Sequence, residues 1–235
     1  MSFASATLRF LRGLAAHNTK PWFEAHRDEY EAVVKAPMQA LIEEMDVRLA
    51  RFAPEIVGDP KRSMFRIYRD IRFSADKSPY KTHASCWFYH RDGSRGVGRE
   101  AEGAGAGFYF QIAPGESFSG GGMWMPPKDA LSKIREAIAE NPRAFEKIAR
   151  DPKLQRRFGG LDEEAVLKRV PRGFAPDHPA AEWLKFQSFV SGRRLTDTQA
   201  VGGKLVELLV GDFTVLLPLV RWINGTLGLK PAKQR

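Results

Sequence analysis

At 235 residues, with 43% hydrophobic and 28% charged residues, the chain has the size and composition of one soluble globular domain with a sizeable core. A single cysteine, Cys86, excludes an intramolecular disulfide, and no uninterrupted apolar run approaches the roughly 20 residues of a membrane span. The net charge of +9 is local: seven Lys/Arg against two Asp lie between Lys61 and Lys81, with Lys230, Lys233 and Arg235 in the tail.

In chain order, Thr7 is placed to cap a short helix through Ala16, and Thr19 a second helix with Pro21 in its first turn, where a missing N–H costs nothing. Apolar spacings of three, four and seven predict one long amphipathic helix to Phe52, kinked or split at Pro37. Residues 54–60 read as a loop. Residues 65–73 then alternate, with Phe65, Ile67, Ile71 and Phe73 on one parity and Arg66, Tyr68, Asp70 and Arg72 on the other. That is the pattern of a half-buried strand. Arg69 falls on the apolar parity, so it must find a carboxylate or be turned outward by a bulge. Residues 74–79 carry turn chemistry, and Tyr80 and Lys81 follow directly.

Residues 86–90 form a second strand candidate. The glycine-rich stretch 91–107, with Arg91, Arg95 and Arg99 and no apolar anchor but Val97, reads as a mobile basic loop. Residues 107–113 and 117–124 flank Pro114-Gly115-Glu116 as a hairpin, its second arm weakened by Gly120-Gly121-Gly122. Beyond it, helices are expected over 129–140 and from Pro142 through Arg150, then a loop-rich stretch at 151–161 and a short helix at 162–168. One helical turn at 180–184, a fifth strand at 186–195 and helices from Thr196 to Val210 and from Asp212 through Leu227 complete the reading. The fold class is α+β, an antiparallel sheet of about four to five strands packed against N-terminal and C-terminal helices, in one domain over 1–235. Within it, residues 1–60 are a helical part, 61–125 the antiparallel meander and 126–235 mainly helical with one further strand. The first residues, MSFASATLRFLRGLAAHN, lack the apolar core and cleavage pattern of a signal peptide, so the expected location is cytoplasmic.

Four motifs then match a known pattern. RIYRDIRFSADKSPYK at 66–81, NTKPWF at 18–23, GGGMWMP at 120–126 and PRGFAPDHP at 171–179 together resemble the family called domain of unknown function 2461. The resemblance covers nearly the whole chain. It implies a single soluble α+β domain and no particular activity; the 91–107 loop is longer than the family pattern needs.

Arg66, Arg69 and Arg72, with Lys77, Tyr80 and Lys81 just beyond, are candidate ligands for an anion, with Arg172 brought in by the later loop and Gly121 offering backbone amides. Against this stands an ion-pair network joining the segment to Asp70, Asp76, Asp177 or Glu182, and glycines that only make room for a neighbouring ring. His178 with Asp177 is the best acid–base pair, unless Asp177 merely caps the next turn. The scattered histidines and lone cysteine have no metal-ligand spacing, and no cofactor motif is present. Two functions follow as expectations: a binder of a phosphorylated or otherwise anionic small molecule, with chemistry at His178 open, or a non-catalytic nucleic-acid-binding module using the same basic face plus Arg91, Arg95, Arg99 and the tail, with Tyr68, Tyr80, Trp87 and Tyr89 to stack bases.

Overall fold

The computed structural model describes residues 2–72, 75–94 and 96–232. The expectations that involve Phe73, Ser74, Arg95, Lys233 and Arg235 therefore lie outside the described residues.

Helix α1 (Ser5–Ala16) starts before Thr7. Thr7 is buried in its first turn, and its hydroxyl donates to the Val33 carbonyl at 2.7 Å. Val33 lies four residues before Pro37, which has no N–H to offer it. The hydroxyl thus takes over a carbonyl that the proline abandons. The expected long helix is divided into α2 (Lys20–Ala25), α3 (Arg27–Tyr30), a π-helical turn (Glu31–Lys35) and α4 (Ala36–Phe52). Pro37 itself sits in the first turn of α4, and the irregularity it imposes is taken up by the π turn before it.

Five strands follow: β1 (Ile56–Val57), β2 (Ala84–His90), β3 (Gly107–Ile112), β4 (Ser117–Met123) and β5 (Phe189–Leu195). They form an antiparallel meander in the order β1-β2-β3-β4-β5, confirming the α+β class. The strand expected over 65–73 is a correction. Residues 63–65 lie along β2 only through the Met64–Cys86 bridge and its flanking bonds, and β1 was missed in what reads as a loop. From Ile67 the chain turns onto its own continuation instead, through the Tyr68–Tyr80 bridge and the bonds Arg69 N–H to Pro79 O and Lys81 N–H to Ile67 O. The described parts of 66–81 thus fold onto each other beside the meander, as an irregular excursion between β1 and β2.

Helices α5 (Lys128–Glu140), α6 (Pro142–Ala149), α7 (Pro152–Phe158), α8 (Ala181–Leu184), α9 (Asp197–Ala200) and α10 (Leu205–Thr226) complete the described chain. Helix α7 replaces an expected loop: the Asp151 side chain accepts from the amides of Lys153 and Leu154, and Gly159 ends the helix at φ 84°. The helix expected over 162–168 is absent. That segment is irregular, with a turn at 164–165, and residues 165–167 exchange backbone bonds with 185–187. Helix α10 does not stop at Gly211-Asp212 but runs through both and through Pro218, because its face is buried along its length.

The two sheet faces differ. On one, Phe213 of α10 stacks on Phe108 at 4.5 Å, Leu216 lies against Gly121, and Phe3 meets Phe110. Helices α1, α4 and α10 cover this face and build the core. The opposite face carries the candidate site. The glycine-rich loop is folded onto the C-terminal end of α10, contrary to its sequence reading. Ala101, Ala104 and Ala106 are buried, and the Asn224 amide bonds both the N–H and the C=O of Ala106 at 2.8 and 3.1 Å.

Candidate functional site

The open face is built by strand parity. In register across the sheet lie Trp87, Tyr109, Gly120 and Gly192, and one pair further along lie Ser85, Gln111, Phe118 and Arg194. Side chains of the first row would crowd the second, and the glycines prevent it. A Cβ on Gly120 would come within 2.7 Å of the Phe118 ring and one on Gly192 within 2.3 Å. The Phe118 ring therefore lies down over two bare backbones, leaving a cavity of about 530 Å³ above the sheet. Its walls include Trp87, Tyr109, Phe118 and Trp124, with Glu116, Asp162, Glu164 and Arg194 at its edges.

The basic hairpin borders this cavity through aromatic rings. Phe65 is 6.2 Å from Tyr109, and the Lys81 ammonium sits 5.4 Å from the centre of the Phe65 ring. Within the hairpin the expected residues separate into two groups. Arg69 is ion-paired with Asp76, Arg72 with Asp70 at 2.6 Å, and Lys77 donates to the Ile71 carbonyl. These pairs hold the Asp70 and Asp76 carboxyls down at about 2, Asp70 chiefly through Arg72 and Asp76 through Ser78 and then Arg69. With 29% of its side chain exposed, Arg69 is mostly covered rather than fully enclosed, and it has a carboxylate partner, as its parity requires. Tyr80 is also structural: its ring stacks on Phe23 at 4.2 Å, and its backbone N–H and C=O are both held by the Asn18 amide. The NTKPWF and SPYK motifs are thus two halves of one latch.

The second group is Arg66, Lys81 and His83. None of the three makes an ion pair with a described residue. Burial, and then repulsion from Arg66, lowers the pKa of half-buried Lys81; burial, Lys81 and Arg69 lower that of His83, against a weaker pull from Glu116. His83 shares the open-face parity of Ser85 and Trp87, a position its sequence neighbourhood signals but the reading of scattered histidines missed.

The remaining candidates lie elsewhere. Arg172 is exposed on the loop before α8 and makes no hydrogen bond or ion pair with a described residue. The His178 ring nitrogen accepts from the Ala180 N–H at 3.0 Å and the ring meets Phe174, so this histidine, not Asp177, bonds the turn that leads into α8, which has no side-chain cap. Asp177 is exposed. Gly121 belongs to a strand paired on both edges, and its missing side chain points at Phe108 and Leu216, so its conformation serves packing. Among the described residues, no group of His, Cys, Asp or Glu is placed to hold a metal ion, and no helix is long and apolar enough to cross a membrane.

These features define an α+β protein whose five-stranded meander is covered by helices on one face and presents an aromatic concavity on the other. The family model described as a conserved hypothetical protein, DUF2461, matches residues 6–222, and the chain belongs to that family. Searches of the curated proteins and of the solved structures found no match.

Proposed function

We propose that the protein binds an anionic small molecule, of the phosphorylated or carboxylated class, at the cluster of Arg66, Lys81 and His83. The observation that carries the reading is that the cations of Arg66 and Lys81, with the His83 imidazole beside them, form no ion pair with a described residue. Among the described residues their only attractions to carboxylates are the longer-range ones of Arg66 to Asp70 and of His83 to Glu116. Half-burying an ammonium beside a guanidinium is unfavourable unless a counter-charge arrives, and a bound anion supplies one. The paired residues Arg69, Arg72 and Lys77 shape the hairpin that presents the cluster, and Arg172, Gly121 and His178 have no part in it.

Inorganic phosphate is the first probe. It should raise the melting temperature more than chloride at matched ionic strength, because a ligand of the native state stabilises it by mass action. Exclusion of phosphate from protein surfaces also stabilises, so variants separate the two effects. Arg66→Gln with Lys81→Gln should abolish the phosphate-specific increment while leaving the melting temperature in chloride equal or higher, since a repulsion has been removed. A structural role for the cluster gives the reverse, a lower melting temperature in chloride and an unchanged increment. Binding of short oligonucleotides with a steep salt dependence, in place of phosphate, would favour a nucleic-acid module.

The titration of His83 gives a second check. Its pKa is depressed below the ordinary value, so it is neutral at pH 7 and gains charge as pH falls through the depressed pKa. Sulfate, whose charge stays constant while an imidazole titrates, should therefore bind more tightly as pH falls through the depressed pKa of His83 than at pH 7, and His83→Gln should flatten that dependence. A sulfate affinity independent of pH in the unaltered protein would remove His83 from the site.

A further inference from the structure

Lys81 is placed unlike the other lysines of the chain. Most of the described lysines stand in solvent, and Lys35, which is partly covered, carries its own carboxylate, Glu31, at 2.7 Å. Lys81 is half-buried, forms no ion pair with a described residue and has a guanidinium, Arg66, for its charged neighbour. The Phe65 ring, whose centre is 5.4 Å from Nζ, covers one side of the nitrogen. The backbone beneath it is fixed. The Lys81 N–H donates to the Ile67 carbonyl at 2.8 Å, and the preceding residue, Tyr80, is stacked on Phe23 and held through both its N–H and its C=O by Asn18. The amine is thus presented from a secured base, at the surface but not in free solution.

A lysine attacks an electrophile only as the neutral amine, and desolvation or a neighbouring cation is what makes that form accessible. Both are present here. Burial and then Arg66 displace the Lys81 pKa downward, in the absence of a paired carboxylate that would hold the ammonium in place. His83 lies within electrostatic reach of Lys81, and its own pKa is lowered by burial and then by Lys81. At pH 7 its imidazole is therefore neutral and able to accept a proton. The groups that would draw in an anion, the Arg66 fork above all, stand beside an amine able to react with it.

On the reading of this cluster as an anion site, we propose that Lys81 forms an imine with a small anion that carries a carbonyl group, a 2-oxo acid or a phosphorylated aldehyde or ketone, held at its anionic end by Arg66. The Nζ lone pair adds to the carbonyl carbon and makes the C–N bond. The two hydrogens of the neutral amine pass to the carbonyl oxygen, with His83 as the carrier, and the C–O bond breaks to release water. A C=N bond remains, and nothing is oxidised or reduced.

The test traps that bond. The full chain is incubated with pyruvate, with dihydroxyacetone phosphate or with acetone, a neutral ketone, each with cyanoborohydride, which reduces an imine to a stable secondary amine. Peptide mass mapping then gives the rate at each lysine. With at least one anionic probe, Lys81 should be labelled about ten-fold or more faster than exposed Lys61 and half-buried Lys185, because anchoring the anionic end raises the effective concentration of the carbonyl at Nζ. The preference should vanish with acetone and weaken when sulfate competes, and whichever anionic probe shows it separates the carboxylate from the phosphate class. Lys81→Arg keeps the charge and should remove this adduct without changing the labelling of Lys61 or Lys185. Equal rates at Lys81 and Lys185 with both anionic probes, or a preference for Lys81 as strong with acetone, overturns the proposal. If phosphate still raises the melting temperature in the manner described above, the imine alone is wrong and the anion site stands; if phosphate has no such effect either, the anion site falls with it.

Discussion

Asp212 occupies a position that a core helix ordinarily rejects, a carboxylate fully enclosed between α10 and the sheet. It is held there by two guanidinium groups, Arg157 Nε at 2.6 Å and Arg193 Nε at 3.0 Å. Removing both arginines leaves a buried charge without compensation, so Arg157→Ala combined with Arg193→Ala should lower stability by about 3–5 kcal/mol. Arg69→Ala should shift the denaturant midpoint far less, because Asp76 is solvated and returns to water. Equal midpoints for the two proteins would contradict this ranking. Sequence parity singled out Arg69 as the arginine in need of a carboxylate and found its partner class correctly. It could not find the buried pair, because Asp212 resembles a helix cap after Gly211, and its partners lie 55 and 19 residues away. Non-local electrostatics of this kind leave no trace in local patterning.

At the scale of elements, what alternates or repeats locally was legible. The 107–113 and 117–124 hairpin, the 86–90 strand and the helices after Asn141 all lie within a few residues of β3, β4, β2 and α6, because strand-forming aromatics, turn residues and side-chain caps are written in neighbouring residues. The failures have one physical origin. Residues 91–107 read as unanchored because alanines were not counted as apolar, yet Ala101, Ala104 and Ala106 are small enough to enter the space beside α10 where larger groups would clash. Gly105 marks how close the approach is: a Cβ there would come within 2.5 Å of the Asn224 side-chain oxygen. Two consequences follow. Asn224→Ala leaves the Ala106 N–H and C=O without partners, so trypsin should cut at the exposed Arg91 and Arg99 faster than in the unaltered protein. Gly105→Ala should do the same by steric expulsion. Cleavage rates unchanged by either substitution would mean that the loop is held by other contacts. The aromatic concavity escaped the sequence reading for a related reason: Trp87, Tyr109, Phe118 and Gly192 are gathered by strand register, and register is not visible until the strands are paired.

For the whole molecule the question is what makes helices from the two ends of the chain one cooperative unit. Helices α4 and α10 lie together beneath the sheet, and Arg221 of α10 fastens them. Its guanidinium donates to Glu55 at 2.7 Å, just before β1, and to the Phe52 carbonyl that ends α4 at 3.0 Å. Glu55 is almost completely enclosed. Burial raises its pKa, but the bond from Arg221 and backbone donors outweigh burial, and the net displacement is downward. A carboxyl whose folded pKa lies below its unfolded value contributes stability that is fully present above about pH 4.3 and is lost as pH falls through the folded pKa. Thermal unfolding near pH 7 should accordingly be a single transition, seen at the same temperature by near- and far-ultraviolet circular dichroism. Arg221→Ala should lower stability by about 3–5 kcal/mol at neutral pH, because the enclosed Glu55 charge is then unpaired. In that variant burial acts against the backbone donors alone, so the folded pKa of Glu55 rises and its contribution to the acid dependence of stability shrinks. Acidification through the carboxylate range should then cost the variant less stability than it costs the unaltered protein. The gap between their stabilities must therefore narrow from pH 7 towards pH 4. A gap that stays constant over that range would show that Arg221 joins the two ends by packing alone.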